Sequence, residues 1–136
     1  MIRWITAALR ALLADGPGNL GAGMEKLETL EDLEACLAQS DAAPVLIFKH
    51  STRCPVSTAA MREMQAYVQA DGENQLPVYL NLVVESRPVS NAIAETLGIR
   101  HESPQLLLVA KRAATWHTSH GSIRADRVRQ ATAGPQ

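Results

Sequence analysis

The sequence predicts an α/β fold in which a central mixed sheet is flanked by helices. Short apolar runs of strand length alternate with segments of helical periodicity, a pattern typical of parallel strands joined by crossover helices. A short turn at residues 111–113 joins the last two predicted strands, which favours an antiparallel hairpin. With 136 residues, the chain is long enough to bury one hydrophobic core and too short to suggest two domains.

The helices are predicted from apolar periodicity together with start and stop signals. The first has Leu33 and Leu37 on one face and acidic residues in its first turns, where the helix dipole favours them. Pro55 and Pro88 suit the opening turns of the second and third helices, and Gly98 follows the third. The predicted helices cover residues 29–40, 55–70, 88–97 and 122–131, and Ser122 is the expected cap of the last one.

The strands are predicted from apolar runs that lie between turn residues. Residues 45–48 follow a proline and form the continuous run Val-Leu-Ile-Phe, which is typical of a strand buried on both faces. The predicted strands cover residues 26–28, 45–48, 78–84, 105–109 and 114–117. Crossover helices between them imply a parallel core, to which the final hairpin adds an antiparallel part.

A glycine-rich stretch at residues 15–23 divides the chain. We expect residues 1–23 to be an N-terminal extension, as a short amphipathic helix with a linker, residues 24–131 to be the folded domain, and residues 132–136 to be a flexible tail. Arg10 interrupts the apolar start, and no small-residue cleavage site follows it. That start is also too short and too charged to span a bilayer, so we expect no stable membrane insertion.

Composition excludes several classes of function. The formal net charge is −1 and no long basic run is present, so the chain lacks the signature of a nucleic-acid-binding protein. Cys36 and Cys54 are the only cysteines, and no cysteine–histidine cluster has the spacing of a zinc site. We therefore expect no bound metal, no nucleic-acid partner and a reducing, cytoplasmic location.

Cys54 is the candidate catalytic residue. It follows an apolar strand and opens a helix, where backbone N–H groups and the helix dipole stabilise a thiolate. Ser57 stands where a dithiol motif carries its second cysteine, so exchange should stop at a mixed disulfide until an outside thiol completes it. Ser57 can donate a hydrogen bond to the thiolate, and helix capping is its alternative role. Cys36 lies on an apolar helix face, where an inert thiol is expected and a bridge to Cys54 is the alternative.

Ser103 and Pro104 add a second signal. A proline directly before a buried strand removes a ladder hydrogen bond, and a cis peptide bond is one reason for its presence. A Cys-Pro-X-X motif between strand and helix, with such a proline later in the chain, resembles the thioredoxin superfamily, in which this proline is cis and lies beside the active cysteine. The resemblance implies that the backbone of Ser103 pairs with the substrate and that Pro104 shapes the groove.

Four motifs narrow the resemblance. They are FKHSTRCPVS at residues 48–57, VVESRPVSN at 83–91, GIRHESPQ at 98–105 and WHTSH at 116–120. Together they are similar to the YtxJ family of the bacillithiol system, the monothiol bacilliredoxins. This resemblance implies removal of bacillithiol from mixed disulfides on cytosolic client proteins. It also implies bacillithiol, or a similar low-molecular-weight thiol, as the co-substrate, with no bound cofactor.

The groove around Cys54 is expected to bind this thiol. His50 precedes the loop that leads to Cys54 and His101 lies ahead of Pro104, and histidine is the side chain that titrates near neutral pH. The alternative for each is a loop histidine without a role. The expected substrate-binding residues are His50, Thr52, Arg53, Pro55, Ser103 and Pro104.

Two other functions remain open from the sequence. A cluster-binding monothiol glutaredoxin also uses one cysteine in a Cys-X-X-Ser motif, although there Gly-Phe stands where this chain has Pro55 and Val56. A redox-sensing stress protein without enzymatic activity would only be modified at Cys54. Colour from a bound cluster identifies the first alternative, and the absence of turnover identifies the second.

Overall fold

The strands form one mixed sheet in the computed structural model, which describes residues 21–70 and 75–133. The predicted extension up to residue 20 and the tail from residue 134 lie outside the described residues. The strands are β1 (Glu25–Lys26), β2 (Val45–His50), β3 (Val78–Leu82), β4 (Gln105–Ala110) and β5 (Ala113–Ser119). The helices are α1 (Leu30–Ala42), α2 (Pro55–Gln69), α3 (Arg87–Leu97) and α4 (Ala125–Ala133), and a 3₁₀ turn covers His120–Ser122.

The strand order in the sheet is β1-β3-β2-β4-β5. β1, β3 and β2 run parallel, whereas β4 pairs antiparallel with β2 and with β5. The prediction of an α/β fold with a mixed sheet and a C-terminal hairpin is therefore confirmed. Because β2 and β3 are parallel and β4 is antiparallel to β2, the end of β2, the end of β3 and the start of β4 lie at one edge of the sheet.

Helices cover both faces of the sheet. Successive side chains of β2 point alternately into the two cores that lie between the sheet and these helices. Leu46 and Phe48 point into a core made with α2 and α4. Val45 and Ile47 point into a second core made with α1 and α3. Every residue of β2 is buried, as the continuous apolar run predicts for a central strand. No helix among the described residues is long and apolar enough to cross a bilayer.

The final helix differs from its prediction at both ends. Ser122 is not its cap, because residues 120–122 form the 3₁₀ turn and α4 begins at Ala125. The backbone N–H of Ala125 donates instead to Oε1 of Glu63 on α2, at 2.8 Å. A partner so distant in sequence leaves no local signal. The helix then continues to Ala133, so residues 132 and 133, assigned to the tail, are helical.

The domain also includes residues that were assigned to the glycine-rich linker. Gly21 is buried, and its carbonyl accepts the N–H of Met24 at 2.8 Å. The backbone of Gly21 packs against Leu80 of β3 and has a φ of +77°. The first described residues therefore form a turn that is packed on the sheet.

Candidate active site

Cys54 lies between the end of β2 and the start of α2. It is the N-cap residue of α2, with extended backbone angles, and Pro55 opens the helix. Its N–H donates to the carbonyl of Ser51 at 3.3 Å, and its carbonyl accepts the N–H of Thr58 at 3.0 Å. The side chain is half-buried. The sulfur is thus held at a helix N-terminus, where the helix dipole favours an anion.

Ser57 lies one turn into α2 and is fully buried. Its Oγ accepts the N–H of Ser51 at 2.9 Å. The same oxygen lies 2.7 Å from Nδ1 of His50. These two contacts join the helix, the loop that carries Cys54 and the last residue of β2. The sequence predicts that Ser57 bonds to the thiolate or caps the helix; it does not predict Ser51 or His50 as partners of Ser57.

His50 occupies a different place from the one expected. It is the last residue of β2 and only 2% exposed, beneath the loop rather than on the surface of a groove. Its ring lies 5.5 Å from that of Phe48, centroid to centroid. Burial lowers the pKa of His50, against smaller opposing effects of Ser57 and Glu85. The imidazole is therefore neutral at neutral pH.

The exposed rim of the site is formed by residues on either side of Cys54. Thr52, Arg53 and Pro55 are exposed, as a substrate-contacting surface requires. Val56 is 43% exposed, which leaves an apolar side chain next to this rim. The structure thus brings three of the expected binding residues to the surface around a half-buried sulfur.

Ser103 and Pro104 lie at the same edge of the sheet as the Cys54 loop. Lys49 of β2 pairs with Gln105 of β4, so the chain that leaves β2 runs beside the chain that enters β4. The Ser103–Pro104 peptide bond is cis. The carbonyl of Pro104 accepts the N–H of His120 at 3.0 Å. Within the described part of the chain, Oγ of Ser103 is buried and has no hydrogen-bond partner.

Gln105 fixes the loop that leads to the cis bond. Its Nε2 donates to the carbonyl of Arg100 at 3.0 Å, and its Oε1 accepts the N–H of Glu102 at 3.4 Å. Gln105 is itself only 1% exposed. A buried amide therefore holds the segment before Pro104 in one conformation.

His101 faces α3. Its Nδ1 lies 3.4 Å from Oγ of Ser90, and the ring is half-buried. Burial lowers the pKa of His101, with further lowering by the positive charges of Lys49 and Arg87. His101 therefore makes its polar contact with α3, through Ser90.

Lys49 was not anticipated as a notable residue. It is fully buried in β2, and burial followed by the charge of Arg87 lowers its pKa to about 8. Its neighbours in the sheet are also polar, because Lys49 pairs with Asn81 on β3 and with Gln105 on β4. The available signal was a lysine at the end of an apolar strand, which usually marks the point where a strand reaches solvent.

Cys36 cannot serve as a second active thiol in this fold. It is fully buried in the core formed with α1 and α3. Burial, and to a smaller extent the charge of Glu25, raises the pKa of Cys36 to about 12. Both cysteines are free. In the described ranges, no group of three or more histidine, cysteine, aspartate and glutamate side chains is placed to hold a metal ion.

Fold and site together define a class of protein. One accessible cysteine opens the helix after a central strand, a serine follows it by one turn, and a cis proline lies at the same sheet edge. This is a thiol–disulfide oxidoreductase with a thioredoxin fold. The sequence model of the family described as monothiol bacilliredoxin BrxC matches residues 25–128. Because that match covers most of the chain, the protein belongs to the monothiol bacilliredoxin family.

Solved structures show the same fold. A protein assigned as an oxidoreductase with a thioredoxin fold superposes with a TM-score of 0.70 and 27% identity, covering 79% of this chain and 92% of the other. Thioredoxin from Fasciola hepatica has a TM-score of 0.64 at 12% identity, covering 81% and 97% of the two chains. Mitochondrial thioredoxin 3 from Saccharomyces cerevisiae has a TM-score of 0.60 at 15% identity, covering 81% and 93%. At such low identities the two thioredoxins show the fold alone.

Proposed function

We propose that this protein removes bacillithiol from mixed disulfides on client proteins through an intermediate in which Cys54 carries bacillithiol. The observation that carries this proposal is one accessible thiol at the start of α2, with Ser57 in place of a resolving cysteine. Membership of the monothiol bacilliredoxin family supports bacillithiol as the small thiol. Two free cysteines and no disulfide among the described residues fit a reducing compartment, which we propose is the cytoplasm.

The reaction consists of two thiol–disulfide exchanges. In the first, the Cys54 thiolate attacks the bacillithiol sulfur of the client's mixed disulfide, that disulfide breaks, and the client leaves as a thiolate that takes a proton from water. In the second, the thiolate of free bacillithiol attacks the bacillithiol sulfur on Cys54. Cys54 leaves as a thiolate, and bacillithiol disulfide is the product. No cofactor is needed, because each step exchanges one sulfur–sulfur bond for another.

We assign substrate contact to the exposed rim and to the chain before β4. Thr52, Arg53 and Pro55 are exposed beside the sulfur, and Arg53 adds positive charge there. Ser103 is assigned a contact through its backbone, because it directly precedes Pro104 and its Oγ is buried. Pro104 closes the groove behind it. Burial of His50 argues against direct contact with the substrate.

The test is turnover followed by mass spectrometry. The reduced protein is incubated with bacillithiol disulfide and, separately, with a bacillithiolated peptide and free bacillithiol. We expect one bacillithiol adduct on Cys54 and release of many equivalents of peptide per enzyme. Cys54→Ser should abolish both results, whereas Cys36→Ser should retain them because Cys36 is buried in the core.

Three outcomes would contradict the proposal. A Cys36–Cys54 bridge indicates a dithiol scheme. An adduct that persists when free thiol is supplied indicates a sensor rather than an enzyme. Visible absorbance from an iron–sulfur cluster in the purified protein indicates a cluster-binding function.

A further inference from the structure

The hydroxyl of Ser57 has one proton and two strong partners. Ser51 contributes a backbone N–H at 2.9 Å, which can only donate, and so occupies one lone pair of Oγ. The other partner is Nδ1 of His50 at 2.7 Å. A neutral imidazole carries its proton on one nitrogen, so this nitrogen either accepts from Ser57 or donates to it.

The two arrangements have opposite consequences for Cys54. If Nδ1 accepts, the proton of Ser57 points at His50 and cannot reach the sulfur. If Nδ1 carries the proton and donates, both lone pairs of Oγ are occupied by donors. The hydroxyl proton of Ser57 must then point away from His50 and from Ser51. Cys54 is the N-cap residue of α2 and Ser57 is the third residue of the helix, and the side chain of an N-cap residue lies over the second and third helical residues.

We propose that His50 donates from Nδ1 to Ser57 and thereby turns the hydroxyl proton of Ser57 toward the Cys54 thiolate. His50 is thus a positioning residue, which acts on the sulfur only through Ser57. The inference rests on the proposed exchange at Cys54 and is independent of which small thiol is exchanged.

The surroundings of the pair favour this arrangement. His50 and Ser57 are 2% and 0% exposed, so water does not compete for their hydrogen bond. Burial keeps the ring neutral, which makes the choice of tautomer decisive. A hydroxyl donor would add to the effect of the helix N-terminus on the thiolate, because Pro55 has no N–H and the side chain of Cys54 makes no capping hydrogen bond with the described helix. Ser57 is the rotatable donor that the fold places one turn away.

The first experiment determines the tautomer directly. Nitrogen-15 NMR of the ring of His50 in the reduced full-length protein distinguishes a proton on Nδ1 from one on Nε2. We expect the proton on Nδ1 at pH 9. A proton on Nε2 overturns the proposal, because the hydroxyl of Ser57 would then be committed to His50. The measurement involves no bacillithiol, so its result does not depend on whether the proposed function is correct.

The second experiment measures the coupling to the sulfur. The rate of alkylation of Cys54 by iodoacetamide at pH 7.5 is followed by peptide mass spectrometry, which separates it from Cys36. We expect Ser57→Ala to slow alkylation by about tenfold, the size expected for one hydrogen bond to a charged group. His50→Leu leaves the hydroxyl of Ser57 free to rotate, so it should slow alkylation less, by about threefold. The double variant should be no slower than Ser57→Ala. His50→Asn, whose amide can donate from the place of Nδ1, should stay within about twofold of wild type.

Thr58→Ala is the matched control. Thr58 also has a hydroxyl in the first turn of α2, but its Oγ1 donates to the carbonyl of Cys54 and is exposed, so alkylation should be unchanged. Rates in His50→Leu equal to wild type, or slowing that multiplies in the double variant, would overturn the proposal. If His50→Leu fails to fold, as judged by circular dichroism, the tautomer and the His50→Asn rate decide the question.

Discussion

Nζ of Lys49 donates a hydrogen bond to the carbonyl oxygen of Ser90, 3.2 Å away, and joins the central strand to the first turn of α3. Lys49 is fully buried. Among the described residues no carboxylate forms an ion pair with it. A neutral carbonyl compensates only part of the loss of water around an ammonium group, which explains why burial lowers the pKa of Lys49 to about 8.

Replacing Lys49 by methionine should therefore stabilise the protein at neutral pH. The pKa of this lysine falls from 10.5 to about 8 on folding, so below pH 8 the folded state holds a buried charge. One pKa unit corresponds to about 1.4 kcal/mol, and after deduction for the lost hydrogen bond we expect a gain of about 2 kcal/mol at pH 7. The gain should shrink as the pH rises from 8 to 10.5. In this range Lys49 loses its proton in the folded protein but keeps it in the unfolded chain, so the cost of the buried charge disappears.

Urea denaturation at pH 7 and at pH 10.5 measures this difference. Lys26→Met is the matched control, because Lys26 is exposed in β1 and its replacement should change stability little at either pH. A Lys49→Met protein that is less stable than wild type at pH 7 would show that the buried ammonium stabilises the fold. The buried-charge interpretation would then be wrong.

The sequence predicted much of the fold because its signals are local. The apolar run at residues 45–48 identified the central strand, and the short turn after Ala110 identified the hairpin. Cys54 was placed correctly at a helix start, because strand, proline and helix are adjacent in sequence. Each of these features is decided by residues within a few positions of one another.

Other features depend on partners that are distant in the sequence or on burial. The strand β2 continues to His50 and buries Lys49, because α3 supplies a carbonyl to the lysine and α2 supplies Ser57 to the histidine. The start of α4 depends on Glu63, which no local pattern connects to it. Sequence periodicity does not encode such contacts. One of them is the hydrogen bond between His50 and Ser57, from which we infer the direction of the Ser57 hydroxyl.

Ser103→Ala should separate a role in function from a role in stability. A buried hydroxyl without a partner carries a desolvation penalty, so its removal should leave the free energy of unfolding unchanged or raise it slightly. Because the substrate contact is assigned to the backbone of Ser103 and the hydroxyl is buried, kcat/KM for a bacillithiolated peptide should stay within about twofold of wild type. Thermal unfolding and steady-state turnover of the same preparation measure both quantities.

The comparison for Ser103 is Ser40→Ala. Oγ of Ser40 is also buried, but it donates to the carbonyl of Leu37 and accepts the N–H of Arg112 at 3.0 Å. Its loss should destabilise the protein by about 1 kcal/mol or more and leave turnover of the folded protein unchanged. A Ser103→Ala variant that loses stability would assign the hydroxyl of Ser103 a structural role instead.

Three glycine-to-alanine variants test whether the turn before β1 belongs to the domain. Gly121 has open space around its Cβ position, so its replacement should change the free energy of unfolding little. Gly98 also has open space but a φ of +66°, so alanine there should destabilise by about 1 kcal/mol through backbone strain alone. Gly21 combines a φ of +77° with a Cβ position 2.5 Å from Cδ2 of Leu80, which is itself buried. Gly21→Ala should therefore be the most destabilising of the three, by about 2 kcal/mol or more.

Urea denaturation midpoints give this order directly, because the three variants differ from wild type by the same methyl group. Gly98→Ala serves as the reference for strain, so the excess loss in Gly21→Ala measures the contact with Leu80. If Gly21→Ala instead matches Gly121→Ala, the turn at residues 21–23 does not pack on β3 in solution. The folded domain would then begin at Met24, the boundary expected from the glycine-rich sequence.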